Sequence, residues 1–174
     1  SEADSSVTYG GTYLEGNPGL STGEYTTWTD YQDGEPFGIS TTVGDTWEKG
    51  QPAERTSSYN TLTSYSDGEA VSSVTNGNSI KYGFQVGYYR TDTIYYEGNA
   101  NISTTHGYSH EDLSIGLIPT YYDLTGEYFT YTDYLTEIDS IWPVAGYDLG
   151  EPYNSFTDGV TLSYGELTGE YGTW

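Results

Sequence analysis

A two-residue alternation of apolar and polar side chains constrains this chain more than any other feature. It is longest from Ile80 to Tyr96. Ile80, Tyr82, Phe84, Val86, Tyr88, Ile94 and Tyr96 fall on one parity, and Lys81, Gly83, Gln85, Gly87, Thr91 and Thr93 on the other. Successive side chains of a β-strand point to opposite faces, so this pattern describes a strand or hairpin with one face half buried. The run is long for one strand, and a bend or turn is expected around Arg90–Thr93. Further strands are expected over Val7–Leu14, Glu24–Tyr31, Phe37–Val43, Ser57–Tyr65, Ala70–Thr75, Leu113–Tyr122, Glu127–Leu135, Val160–Tyr164 and Glu170–Trp174, all rich in residues that suit a pleated surface.

Turn chemistry separates these segments. Ser66-Asp67-Gly68, Thr75-Asn76-Gly77-Asn78, Glu97-Gly98-Asn99 and Thr157-Asp158-Gly159 carry residues that tolerate positive φ. Turn signals recurring roughly every ten residues point to an all-β, antiparallel β-sandwich or jelly-roll-like fold. A chain of this length fits one domain over 1–174. At most one or two short helices are expected. Asp133–Trp142 has Leu135, Ile138 and Trp142 at helical spacing before Pro143, and Ser109–Asp112 resembles a capping box.

The segment Thr22-Gly23-Glu24-Tyr25 returns as Thr125-Gly126-Glu127-Tyr128 and as Thr168-Gly169-Glu170-Tyr171. The first two echoes extend to Thr29-Asp30-Tyr31 and Thr132-Asp133-Tyr134, which argues for strand where the helical spacing argues for helix. Duplication and chance repetition in a low-variety chain are both open. The chance reading is preferred here, because a solenoid needs a fixed, shorter period.

Charge narrows the partners. The formal net charge is −22, from 26 acids against four bases, Lys49, Arg55, Lys81 and Arg90. Four scattered cations cannot neutralise a run of phosphates, which argues against nucleic acid, and the same repulsion argues against anionic membranes. Leu, Ile, Val and Phe number only 29, a share typical of disordered chains, but 21 Tyr and four Trp supply large apolar surfaces in their place. No apolar run is long enough for a transmembrane helix. Lipid-facing barrel strands are also disfavoured, since most strands carry Thr, Ser or Asp on both faces. There is no Cys and no Met, including at position 1, so processing of the N-terminus is expected. The acidic, lysine-poor composition resembles that of proteins from salt-loving organisms and their viruses.

No catalytic motif stands out, and the chain is read as a non-enzyme. His106 and His110 have the spacing of a helical metal pair, but Gly107 lies between them and a solvated turn is preferred. Acids around turns, Asp30, Asp33 and Glu35 with Asp67 and Glu69, are the candidate sites for weak Ca²⁺ binding; no other cofactor is expected. Trp28, Trp47, Trp142 and Trp174, with the tyrosines, would suit a sugar-stacking platform, set against plain packing. Asn101-Ile102-Ser103 is a single glycosylation sequon.

These features lead to the expectation of a structural subunit of an extracellular, cell-surface or virion-surface assembly, with copies of itself as partners. Strand edges with few lysines favour pairing between copies. The residues expected to mediate it are Ile80, Tyr82, Phe84, Tyr88, Tyr171 and Trp174. The alternative is a carbohydrate-binding or adhesin module with glycan partners, and third a secreted glycoside-active enzyme.

Overall fold

The computed structural model describes residues 4–48, 54–110, 124–134, 152–163 and 166–173. They form strands β1 (Ser5–Leu14), β2 (Asn17–Gln32), β3 (Glu35–Trp47), β4 (Arg55–Ser66), β5 (Glu69–Lys81), β6 (Phe84–Tyr96), β7 (Asn99–His110), β8 (Leu124–Tyr134), β9 (Pro152–Ser163) and β10 (Glu166–Thr173). No helix occurs among the described residues. All ten strands join one antiparallel sheet in chain order, each strand pairing with the next. The all-β, antiparallel expectation therefore holds. The only sheet the described residues form is this single meander, with β1 and β10 as its two edges.

No hydrophobic side chain is buried among the described residues. The buried positions are instead small ones: Ser21, Gly23, Ser40, Gly44, Ser73, Gly77, Gly87 and Gly107. Five of these, Ser40, Gly44, Ser73, Gly77 and Gly107, belong to a repeat that the strand register exposes. Odd strands carry Ser-x-Thr-x-Gly, at Ser6–Gly10, Ser40–Gly44, Ser73–Gly77, Ser103–Gly107 and Ser155–Gly159. Even strands β2, β4, β6 and β8 carry Tyr-x-Thr-x-Thr-x-Tyr, at Tyr25–Tyr31, Tyr59–Tyr65, Tyr89–Tyr95 and Tyr128–Tyr134, and β10 carries its opening, Tyr171-x-Thr173.

Paired in register, these motifs make rows that cross the whole sheet. One row reads Gly10, Tyr25, Gly44, Tyr59, Gly77, Tyr89, Gly107, Tyr128, Gly159, Tyr171. The next row on the same face is threonine on every strand: Thr8, Thr27, Thr42, Thr61, Thr75, Thr91, Thr105, Thr130, Thr157, Thr173. The echoed tyrosines Tyr25, Tyr128 and Tyr171 thus hold equivalent positions in one row, and the chance reading of the Thr-Gly-Glu-Tyr echo gives way to a structural repeat. Asp133 and Tyr134 belong to β8, as the echo argued and against the expected helix, whose remainder, like the expected strand Leu113–Tyr122, lies outside the described residues.

Several local expectations change. The turn after Ile80 falls at Tyr82-Gly83, so Ile80 and Phe84 lie on adjacent strands rather than one continuous run, and Arg90–Thr93 is regular strand. Asp33-Gly34, Asp67-Gly68, Tyr82-Gly83 and Glu97-Gly98 all have positive φ at both positions, which is the type I′ geometry that matches strand twist. By contrast Asn76-Gly77 and Asp158-Gly159, expected as turns, lie within β5 and β9. Ser109 and His110, expected to open a helical turn, end β7.

Candidate assembly surface

The sheet offers two faces and two edges. The first face is the hydroxyl and tyrosine ladder. Each even-strand tyrosine lies across the glycine of the preceding odd strand. A Cβ placed on Gly10, Gly44, Gly77, Gly107 or Gly159 would stand 2.1–2.4 Å from a ring atom of Tyr25, Tyr59, Tyr89, Tyr128 or Tyr171 respectively. None of these glycines has positive φ, so what they supply is space for a ring rather than backbone freedom.

The five rings run side by side. Burial raises the Tyr59 phenol above its ordinary pKa, with the neighbouring Tyr25 and Tyr89 adding to the shift. Tyr128 is raised in the same way, by burial first and then by Tyr89 and Tyr171. Each phenol resists ionisation because the phenolate would be less well solvated and would face other phenols. Beside this row, threonine hydroxyls pair across each even-to-odd junction, Thr27 with Thr42, Thr61 with Thr75 and Thr91 with Thr105 at 2.8 Å, and Thr130 with Thr157 at 2.9 Å. Cross-strand hydroxyl pairs of this kind stabilise a sheet by about 0.2–1 kcal/mol each.

The opposite face is mixed. Val7 and Trp28 sit opposite each other on β1 and β2, and both remain roughly half exposed. Tyr131 stacks on Phe156 at 5.5 Å between ring centroids, and Tyr88 lies 5.4 Å from Tyr108. Polar groups interleave with them. Arg90 donates two hydrogen bonds to Asp92, at 2.7 and 2.8 Å, and this fork holds the Asp92 carboxyl below the usual range. Arg55 pairs with Asp45 at 3.0 Å, and Lys81 lies 5.2 Å from the Tyr82 ring. The described cations are thus engaged locally, which leaves the acidic excess of the sheet without internal compensation.

The other expected sites fall as follows. Asp33 and Asp67 each open a type I′ turn, and Asp30, Glu35 and Glu69 flank those turns. Among the described residues no three His, Asp or Glu side chains gather as a metal site. His106 is a cross-strand partner of Glu127, Nε2 to Oε1 at 2.6 Å. His110 lies four residues further along the same strand, about 13 Å away at strand rise, too far to share a metal ion with it. Trp28 and Trp47 lie on neighbouring strands. Thr41, the partner of Trp28, is six residues from Trp47, about 20 Å along the strand, which separates the two rings as a platform. Asn101 is the extra residue where β7 slips register against β6, since Ile94 faces Ile102 and Tyr95 faces Ala100. Of the expected assembly residues, Tyr82 is a turn residue that is 60% exposed, Tyr88 packs on Tyr108, Tyr171 covers Gly159, and Trp174 lies outside the described residues.

Residue-type periodicity in the sequence pointed to strands but passed over the rows. The signal that would have found them is the pair Ser-x-Thr-x-Gly and Tyr-x-Thr-x-Thr-x-Tyr, alternating along the chain. In comparisons with protein-family models, curated protein sequences and solved structures, nothing matches this chain.

Proposed function

We propose that the protein is a non-catalytic structural subunit of an extracellular, cell-surface or virion-surface assembly, in which copies join through sheet edges. The observation that carries this reading is the single sheet with repeating rows, whose edge strands β1 and β10 have no second strand partner among the described residues. An edge strand presents a row of free N–H and C=O groups, a template for another chain. Natural edges are blunted by lysine, proline or inward charge, whereas β1, Ser5–Leu14, contains no charged residue and no proline. Two-layer, sandwich-like packing belongs to the same reading: the mixed faces of two copies would cover Val7, Trp28, Leu62 and Phe129, each 40–48% exposed.

The net charge of −22 opposes association, so counter-ions control it. Electron microscopy at low salt, and again at molar salt with millimolar calcium, tests the reading. Ordered filaments, sheets or shells are expected in the second condition, and dispersed monomers in both would overturn it. The same exposed aromatics favour a second reading, a glycan-binding or adhesin surface, which a pull-down on insoluble polysaccharides tests. Calcium at the acidic turns is tested by melting in EDTA and in calcium; equal melting temperatures would remove it.

A further inference from the structure

The rows of the sheet specify how two copies would meet, if the self-association proposed above holds. We propose that β10 of one copy pairs antiparallel with β1 of the next, with Tyr171 opposite Gly10, Thr173 opposite Thr8 and Gly169 opposite Thr12.

Three observations converge on this register. First, each of the nine strand junctions joins an odd Ser-x-Thr-x-Gly strand to an even Tyr-x-Thr strand. The edges of the described sheet are one of each kind: β1 carries Ser6, Thr8 and Gly10, and β10 carries Tyr171 and Thr173. A β10–β1 junction therefore continues the glycine–tyrosine row and the threonine row without a break. A β10–β10 pair centred on Tyr171 would set ring against ring, and a β1–β1 pair centred on Gly10 would set glycine against glycine.

Second, a β10–β1 junction is of the even-to-odd kind. Four of those junctions already carry a threonine hydroxyl pair at 2.8–2.9 Å. Thr173 and Thr8 supply the next.

Third, the register fits on the mixed face as well. It places Tyr9, 77% exposed at the free edge, opposite Gly172, and it places Glu170 opposite Gly11. The most exposed large hydrophobic residue among those described thus meets a residue with no side chain, and the carboxylate meets no like charge. Such a head-to-tail contact is heterologous, so it propagates into a filament unless rotation closes a ring.

The chain has no cysteine, which makes disulfide trapping clean. Directly opposed residues of antiparallel strands have Cα atoms about 4.5–5.5 Å apart, within disulfide reach. Thr8→Cys and Thr173→Cys proteins are mixed in the high-salt condition and oxidised, with Tyr9→Cys and Gly172→Cys as a second pair in case either threonine variant fails to fold. Cross-linked dimers are expected from each mixture, but not from a single variant alone nor from Thr8→Cys with the off-register Thr168→Cys. The double variant Thr8→Cys/Thr173→Cys should give a ladder of covalent multimers. Assemblies visible by microscopy but untrapped by either pair would overturn this register and leave self-association standing. A cross-linked monomer from the double variant would show that a chain's own edges meet, and would overturn the proposal. Absence of any assembly would overturn both.

Discussion

At the scale of single residues, one glycine letter performs two physical jobs. Gly34 and Gly68 sit at positive φ in turns, while Gly77 and Gly159 sit in mid-strand beneath Tyr89 and Tyr171. A sequence shows both as Asn-Gly or Asp-Gly, and only the register separates them. The distinction has a measurable consequence. Gly77→Ala should destabilise the fold by about 1–3 kcal/mol, because the Tyr89 ring must leave its seat. In a Tyr89→Ala background the same change should be neutral, or stabilising by up to about 1 kcal/mol, since glycine is otherwise costly within a strand. Thermal or urea unfolding of the double-mutant cycle reads this coupling. The ring row also fixes an alkaline limit. Tyr59 and Tyr128 have folded pKa values raised above the unfolded one, so they are harder to ionise in the sheet. Their contribution to stability is complete below about pH 10 and is lost as pH rises through the folded values. Tyrosinate absorbance should show a late-titrating fraction in the native protein that is missing in denaturant.

At the scale of strands and turns, legibility followed the apolar alternation. β2, β4 and β6 were readable because Trp28, Leu62 and Ile94 give the mixed face an apolar signal. β7 was missed because its ladder face is Ser103, Thr105 and Gly107 and its other face carries Thr104, His106 and Tyr108, so Ile102 is its one large aliphatic guide. The repeat was hidden by unequal spacers: the leading tyrosines at 25, 59, 89 and 128 stand 34, 30 and 39 residues apart. The turns are the element most open to improvement. Tyr82 holds φ +51°, a conformation that a bulky residue adopts at a cost and asparagine adopts readily. Tyr82→Asn makes an Asn-Gly type I′ turn and should raise the melting temperature, by scanning calorimetry, through a gain of about 0.5–1 kcal/mol. A fall in melting temperature would show instead that the exposed ring, near Lys81, contributes more than the backbone strain removes.

At the scale of the whole molecule, cohesion comes from backbone ladders, hydroxyl pairs and tyrosine–glycine seating, with no buried hydrophobic side chain among the described residues. Such a sheet, at net charge −22, should respond to ionic strength more than a cored domain does. Raising salt from 0.1 M to 1 M shortens the Debye length from about 10 to about 3 Å and should raise the melting temperature progressively. A melting temperature insensitive to salt would mean that the acids are compensated within the fold. Strand content and direction were legible in the sequence, whereas the number of layers was not, because period-2 patterning says that one face differs from the other without saying what covers it. Joining of copies through their sheet edges is the central claim, and fibre diffraction from aligned assemblies tests it most directly. Extension from β10 to β1 places strands across the filament axis. It should give a meridional reflection near 4.8 Å and an axial repeat of about 48 Å, ten strand spacings. Aligned fibres that lack the 4.8 Å meridional reflection would contradict it.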